Sequence, residues 1–320
     1  MSKNLTRRDF LANAGGVAAV AGAGPRLWAN AAAGARHLRL GGPIFLKSDD
    51  PAELAEEHRR LGYRAAYAPE VKASDSDRIK AIIKEFAARD VALAEVGAWV
   101  NMADPDPAKR RKNLSYVEER LALADRLGAR CCVDIAGSFN AHQWDGPDPG
   151  NITDKFIEAT VENCRLVIDA VKPTRTKFSI EMMPFTFPTG PDDYLQLLRK
   201  VDRKAFGVHL DVCNVINSPE RMYHNRAVIE ECFRKLSPWI VSCHAKDLQW
   251  KRYSQVCLLE VIPGHGVLDY RAYLRGVLSL PVDAPLMLEH LKTAEEYDEG
   301  RRYIQKVGHE MGLSFNSEGS

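Results

Sequence analysis

A single α/β domain of the (β/α)8, or TIM, barrel class is the fold this sequence predicts, on three observations. Short β-rich apolar runs alternate with amphipathic stretches eight times between residues 36 and 312. Such a span, about 280 residues, is the usual length of a (β/α)8 barrel. Several runs are almost continuously apolar, as parallel strands buried on both faces must be. A doubly wound open sheet is the alternative, but no GxGxxG follows the first run. Residues 36–312 show no linker or composition break, so they read as one domain.

The predicted strands cover 38–46, 64–69, 91–97, 129–135, 177–183, 206–212, 239–245 and 285–291. Helices fall between them. Asp50-Pro51 opens the first and Gly62 closes it, since proline suits the first helical turn and glycine the end. Residues 154–171 put Phe156, Cys164, Val167 and Ile168 on one face and stop before Pro173. Further helices are expected near 74–88, 107–127, 191–202, 219–236 and 269–280. Thr293 and Glu296 form a capping box that opens the last. The stretch Trp250–Gly266 reads as an insertion between the last two strands.

Residues 1–33 read as an address. Thr6-Arg7-Arg8-Asp9-Phe10-Leu11 precedes a Gly/Ala-rich stretch, and Ala29-Asn30-Ala31 offers a small-residue cleavage site. The arginine pair followed by Phe10-Leu11 resembles the twin-arginine (Tat) export motif. The expectation is export of a folded chain to the periplasm, with the Tat machinery as a partner.

The chain of 320 residues is 27% charged and 45% hydrophobic, with a net charge of +1. Removing the cationic leader leaves a net charge of −2. A general nucleic-acid binder is therefore disfavoured. No run of about 18 strongly apolar residues is present, so the mature chain is not expected to insert stably in a membrane. Seven cysteines lack CxxC spacing and lie mostly in apolar runs, so buried free thiols are expected rather than a zinc knuckle.

Polar residues recur at the ends of strands five to eight, where barrel enzymes keep their chemistry. These ends read Ser179-Ile-Glu181-Met-Met-Pro184, His209-Leu-Asp211-Val-Cys-Asn214, Ser242-Cys-His244-Ala-Lys246-Asp247 and Met287-Leu-Glu289-His290. Glu181, Asp211 and His244 are 30 and 33 residues apart, about one βα repeat each. Three carboxylates and an imidazole brought to one level repel one another without a cation. A divalent ion resolves this, and the O3N donor set suits Mn2+ first, with Co2+, Mg2+ or Zn2+ as alternatives.

In their order, SIEMMP, HLDVCN, SCHAKD and LMLEHL resemble the sugar phosphate isomerase/epimerase family of xylose isomerase-like TIM barrels, over roughly residues 38–310. The resemblance implies one divalent metal on Glu181, Asp211, His244 and Glu289. In the family's epimerases the two glutamates also transfer the proton, which would make Glu181 and Glu289 catalytic here. Their strands flank those of Asp211 and His244, so they can reach opposite faces of one carbon next to a carbonyl, through a metal-stabilised enediolate.

The chain departs from the ketohexose epimerases at two places. Asn214 stands where they carry a substrate-binding histidine, and Lys246, Lys251 and Arg252, with Trp250, lie where they carry an arginine. Further substrate contacts are expected from His142 and Trp144 in the long loop 137–151, from Asn214, from Lys246 and from His265 in Pro263-Gly-His265-Gly266. Lys246 either neutralises a developing oxyanion or pairs with Asp247. Glu95 on strand three is a further candidate. The expected activity is a metal-dependent isomerase or epimerase on a small carbohydrate. A lyase or hydratase on 3-keto-glycosides, a non-catalytic periplasmic sugar-binding protein and a phosphodiester-cleaving relative are the rivals. A homo-oligomer is compatible with the sequence.

Overall fold

The computed structural model describes residues 37–251 and 255–315. Residues 1–33, read above as a leader, and Arg252 lie outside the described residues. Eight parallel strands close into a barrel: β1 (Leu40–Gly41), β2 (Ala65–Tyr67), β3 (Ala92–Gly97), β4 (Cys131–Ile135), β5 (Lys177–Glu181), β6 (Phe206–Asp211), β7 (Ile240–Ala245) and β10 (Leu286–Leu288). Each pairs with its neighbour in sequence, and β10 returns to β1. The (β/α)8 expectation is met.

The helices form where the sequence marks them. In α1 (Pro51–Arg60), Asp50 accepts from the Ala52 N–H at 2.8 Å ahead of Pro51. In α3 (Pro107–Leu127), Asp106 does the same for Ala108, and Gly128 ends the helix at φ 71°, a left-handed conformation costly for a residue with a Cβ. Between them lies α2 (Ser76–Ala88), and α4 (Asp154–Val171), α5 (Pro191–Val201) and α9 (Tyr270–Leu278) follow. The last helix is α10 (Ala294–Glu310). The Thr293 hydroxyl accepts from the Glu296 N–H at 3.3 Å, but the Glu296 carboxylate reaches back to the Lys292 N–H rather than to that of Thr293.

Three expectations need correction, and the insertion gains a structure. The first and last strands are only two and three residues long, so Glu289 lies just beyond β10. The helix expected at 219–236 is three pieces with its approach: α6 (Val212–Val215), α7 (Pro219–Tyr223) and α8 (Asn225–Leu236). Ser218 caps α7 and a break at His224 separates it from α8. The insertion holds an antiparallel hairpin, β8 (Asp247–Trp250) with β9 (Leu258–Val261), which stands apart from the barrel sheet. Lys246 does not pair with Asp247, whose carboxylate is taken by backbone N–H groups.

The core is in two layers. Leu, Ile, Val and Phe side chains fill the space between barrel and helices. Inside the barrel Ala65, Ala94 and Met287 pack together. A Cβ on Gly41 would lie 2.4 Å from the Met287 sulfur, so β1 needs glycine there. All seven cysteines are free thiols, six of them buried.

Candidate metal centre

Four strands deliver one donor each at the C-terminal mouth. Glu181 is the last residue of β5 and Asp211 the last of β6. His244 is in β7, in register with Asp211 on one side and Met287 on the other. Glu289 follows β10. One atom from each of the four lies within 4.8 Å of the others. Asp211 also caps α6: its Oδ1 accepts from the N–H groups of Cys213 at 2.8 Å and Asn214 at 3.2 Å, which aims Oδ2 at the centre.

Around His244 Nδ1 stand Glu289 Oε1 at 2.7 Å, Glu181 Oε1 at 3.1 Å and Asp211 Oδ2 at 3.8 Å. The other ring nitrogen, Nε2, meets Glu95 Oε2 at 3.2 Å. Glu95 is buried on β3 and also receives His209 Nε2 at 2.9 Å and the Ser242 hydroxyl. A carboxylate only accepts, so with a cation on Nδ1 it would keep the imidazole proton at Nε2. Without one, burial is outweighed by the charges of Glu289, Glu95 and Glu181, which raise the imidazole well above its ordinary range. Asp211 Oδ2 and Glu289 Oε1 are closed to solvent and receive no well-directed hydrogen bond among the described residues, although cationic groups crowd them. Four electron donors converging in a buried space fit a divalent cation, and Glu181, Asp211, His244 and Glu289 would hold it.

Lys246 shares a face with His244, two residues on. Its Nζ is 2.6 Å from Glu289 Oε1, 2.7 Å from Asp211 Oδ2 and 3.8 Å from Glu181 Oε1. Asn214 also joins the cage, its Nδ2 donating to Glu181 Oε1 at 3.1 Å. Two residues escaped the sequence reading. Glu260 on β9 meets Lys246 Nζ at 3.4 Å and His290 Nδ1 at 2.8 Å, and His290 Nε2 is 3.6 Å from Glu289 Oε2. His290 has φ 60°, an unusual value for a residue with a side chain. Its place directly after Glu289 was a signal; Glu260, in a stretch read as an insertion, offered none. Lys246, Glu260, Glu289, His290 and Lys292 line a cleft of about 130 Å³ that opens onto the cage.

The charges split the two glutamates. Burial, reinforced by the Glu289 charge, raises the Glu181 carboxyl above its ordinary range despite His244 and Lys246. At Glu289 burial is overcome by His244 and Lys246, and the carboxyl falls to about 2. For Asp211, too, burial is outweighed by Lys246 and His244, and its carboxyl is held well below the usual range.

The other expected substrate residues lie farther out. His142 and Trp144 are exposed in the loop after β4, which is pinned from below by Asn151 and Ser138. His265 is exposed and its Nε2 turns to Glu299 of α10 at 2.8 Å. None of the three has a hydrogen bond or ion pair to the cage among the described residues.

Residues 53–307 match the family described as Xylose isomerase-like TIM barrel. No protein of curated function matches the chain. Among solved structures, a Xylose isomerase-like TIM barrel protein from Mycobacterium smegmatis in complex with magnesium is 21% identical, with a TM-score of 0.59 over 80% of this chain and 87% of that one. The 3-keto-D-glucoside 4-epimerase of E. coli is 12% identical, with a TM-score of 0.59 over 84% and 99%. Endonuclease IV from Thermus thermophilus is 14% identical, with a TM-score of 0.64 over 85% and 99%. At these identities the likeness speaks to the fold, and it spans unlike chemistries. With the matched segment covering most of the barrel, the chain belongs to the Xylose isomerase-like TIM barrel family.

Proposed function

We propose that this protein is a divalent-metal-dependent carbohydrate isomerase or epimerase that moves a proton at the carbon next to a carbonyl. One observation carries the reading: His244 Nδ1 and three carboxylates converge, with Glu181 and Glu289 on either side. A divalent ion held there, Mn2+ by the donor set, would polarise the carbonyl and offset the negative charge that develops on its oxygen. Glu181 and Glu289 take and return the proton from opposite sides. Asn214 holds the Glu181 carboxylate in place, and Lys246 supplies positive charge at the mouth of the cage. The small-molecule carbohydrate enters by the cleft at His290 and Glu260, with His142, Trp144 and His265 contributing from the outer loops. The E. coli neighbour, a 3-keto-D-glucoside epimerase, supports this substrate class. On the leader reading, the reaction belongs to the periplasm.

A lyase or hydratase outcome on 3-keto-glycosides is the second reading, favoured by the Glu260–His290 pair beside Glu289. A leaving group needs a proton, and a carboxylate-held imidazole at the mouth can supply one. Proton NMR in D2O, with Mn2+-loaded protein and a panel of sugars and 3-keto-glycosides, tests both. Deuterium at the α carbon with a new isomer supports the isomerase or epimerase, and release of the aglycone supports the lyase. Sugar binding with no exchange on any substrate would leave a binding protein.

A further inference from the structure

We infer that the carboxylate cage serves two cations, and that Lys246 is the movable one: it closes the mouth by bridging Asp211 and Glu289, and yields both to the divalent ion by turning to Glu260. The inference rests on the metal reading above and concerns how the ion gains its ligands.

Lys246 Nζ contacts three of the four donor groups, most closely at Asp211 Oδ2 and Glu289 Oε1. Both oxygens are closed to solvent. A metal ion approaches a carboxylate oxygen to about 2.0–2.2 Å. An ammonium held on the same two oxygens would then share its ligands with a doubly charged neighbour, and in a buried space that repulsion is large. Among the described residues Lys246 has one anionic contact outside the donor set: Glu260 Oε1, at 3.4 Å. Glu260 is one-third exposed and already oriented by His290.

The backbone beside Lys246 is fixed. Asp247 accepts N–H groups from Leu248, Gly264, Gly266 and Leu268, and the Tyr270 hydroxyl donates to the Lys246 carbonyl at 2.8 Å. The movement is therefore a side-chain rotation about the four-carbon stem, with the hairpin carrying Glu260 as its stop. Turned to Glu260, Nζ stands in the cleft that leads to the cage, where an anionic or carbonyl oxygen of the substrate would meet it.

The test is Mn2+ titration by calorimetry of the full chain after chelation, in wild type, Lys246→Met, Glu260→Gln and the double variant. Lys246→Met should bind Mn2+ more tightly. Glu260→Gln should weaken binding about fivefold in wild type, the scale of a contact coupling, and less than about twofold in Lys246→Met, where no ammonium needs a resting place. A general loss of negative charge would cost the same in both backgrounds, and equal costs would overturn the inference. If neither wild type nor Lys246→Met binds Mn2+, the metal reading itself fails and the inference with it. Should Lys246→Met not fold, a crystal structure of Mn2+-loaded wild type decides. Nζ is expected at Glu260, and Nζ still bridging Asp211 Oδ2 and Glu289 Oε1 beside the ion would overturn the proposal.

Discussion

Glu95 on β3 and His244 on β7 meet across the barrel interior, Oε2 to Nε2, at 3.2 Å. The pair fixes which imidazole nitrogen faces the cage, and His209 and Ser242 in turn fix Glu95. Glu95 is thus the partner that would hold the proton at Nε2 and leave Nδ1 to a metal ion.

Removing the charge of that partner should loosen the metal without unfolding the barrel. In Glu95→Gln the amide keeps the shape but offers one acceptor oxygen to two imidazoles. Metal affinity is expected to fall about 10–100-fold, read by calorimetry, with little change in the far-UV circular dichroism spectrum. Unchanged affinity would remove Glu95 from the site.

Direct loss of the donor is more severe. His244→Ala should abolish stoichiometric metal and activity while the protein still folds, because the imidazole sits at the barrel mouth rather than between barrel and helices. Full metal content in this variant by elemental analysis would count against the four-residue set.

The glutamates separate ligand from catalyst. If Glu181 and Glu289 only held the ion, excess Mn2+ would restore the rate of Glu181→Gln and Glu289→Gln. As proton carriers they are expected to leave a defect of about 10²–10⁴ in kcat at saturating metal. One variant can still exchange the α-proton without completing inversion. Complete rescue of both would leave the chemistry to another base.

Asp134 on β4 gives a prediction about stability. Its Oδ1 accepts from the N–H groups of Val100 and Ile135, but Oδ2 is buried without a hydrogen-bond partner among the described residues. Burial raises its carboxyl well above the ordinary value, against those two hydrogen bonds. For a group raised in the folded state, stability is full below the unfolded value and is lost as pH rises through the folded one. Asp134→Asn should therefore be more stable than wild type at pH 8, by about 1–2 kcal/mol, and the gap should close on acidification. A gap that is constant with pH in thermal melts contradicts this account.

The leader reading is tested in cells. Replacing Arg7 and Arg8 together by Lys should keep the protein in the cytoplasm, and undiminished periplasmic recovery would exclude the Tat route.

Much of this molecule was legible in order along the chain. Alternating apolar runs and capped helices determined the barrel, since each βα unit is a local pattern and eight of them close in one way. Repeat spacing likewise placed Glu181, Asp211 and His244 at one level, because consecutive parallel strands hold the same height, and Glu289 joined them by its place at the end of the eighth strand. Tertiary structure alone decided the rest. Glu95 meets His244 only because the sheet closes, bringing β3 opposite β7 across 149 residues of chain. Lys246 could be put on the same face as His244 by strand periodicity, but which carboxylates it would meet depended on neighbouring strands. Glu260 reached the cage through a hairpin whose antiparallel pairing left no clear period in the sequence. His142, Trp144 and His265 sit on loops, where no periodicity fixes a side chain's direction, and there the sequence could name chemistry but not position.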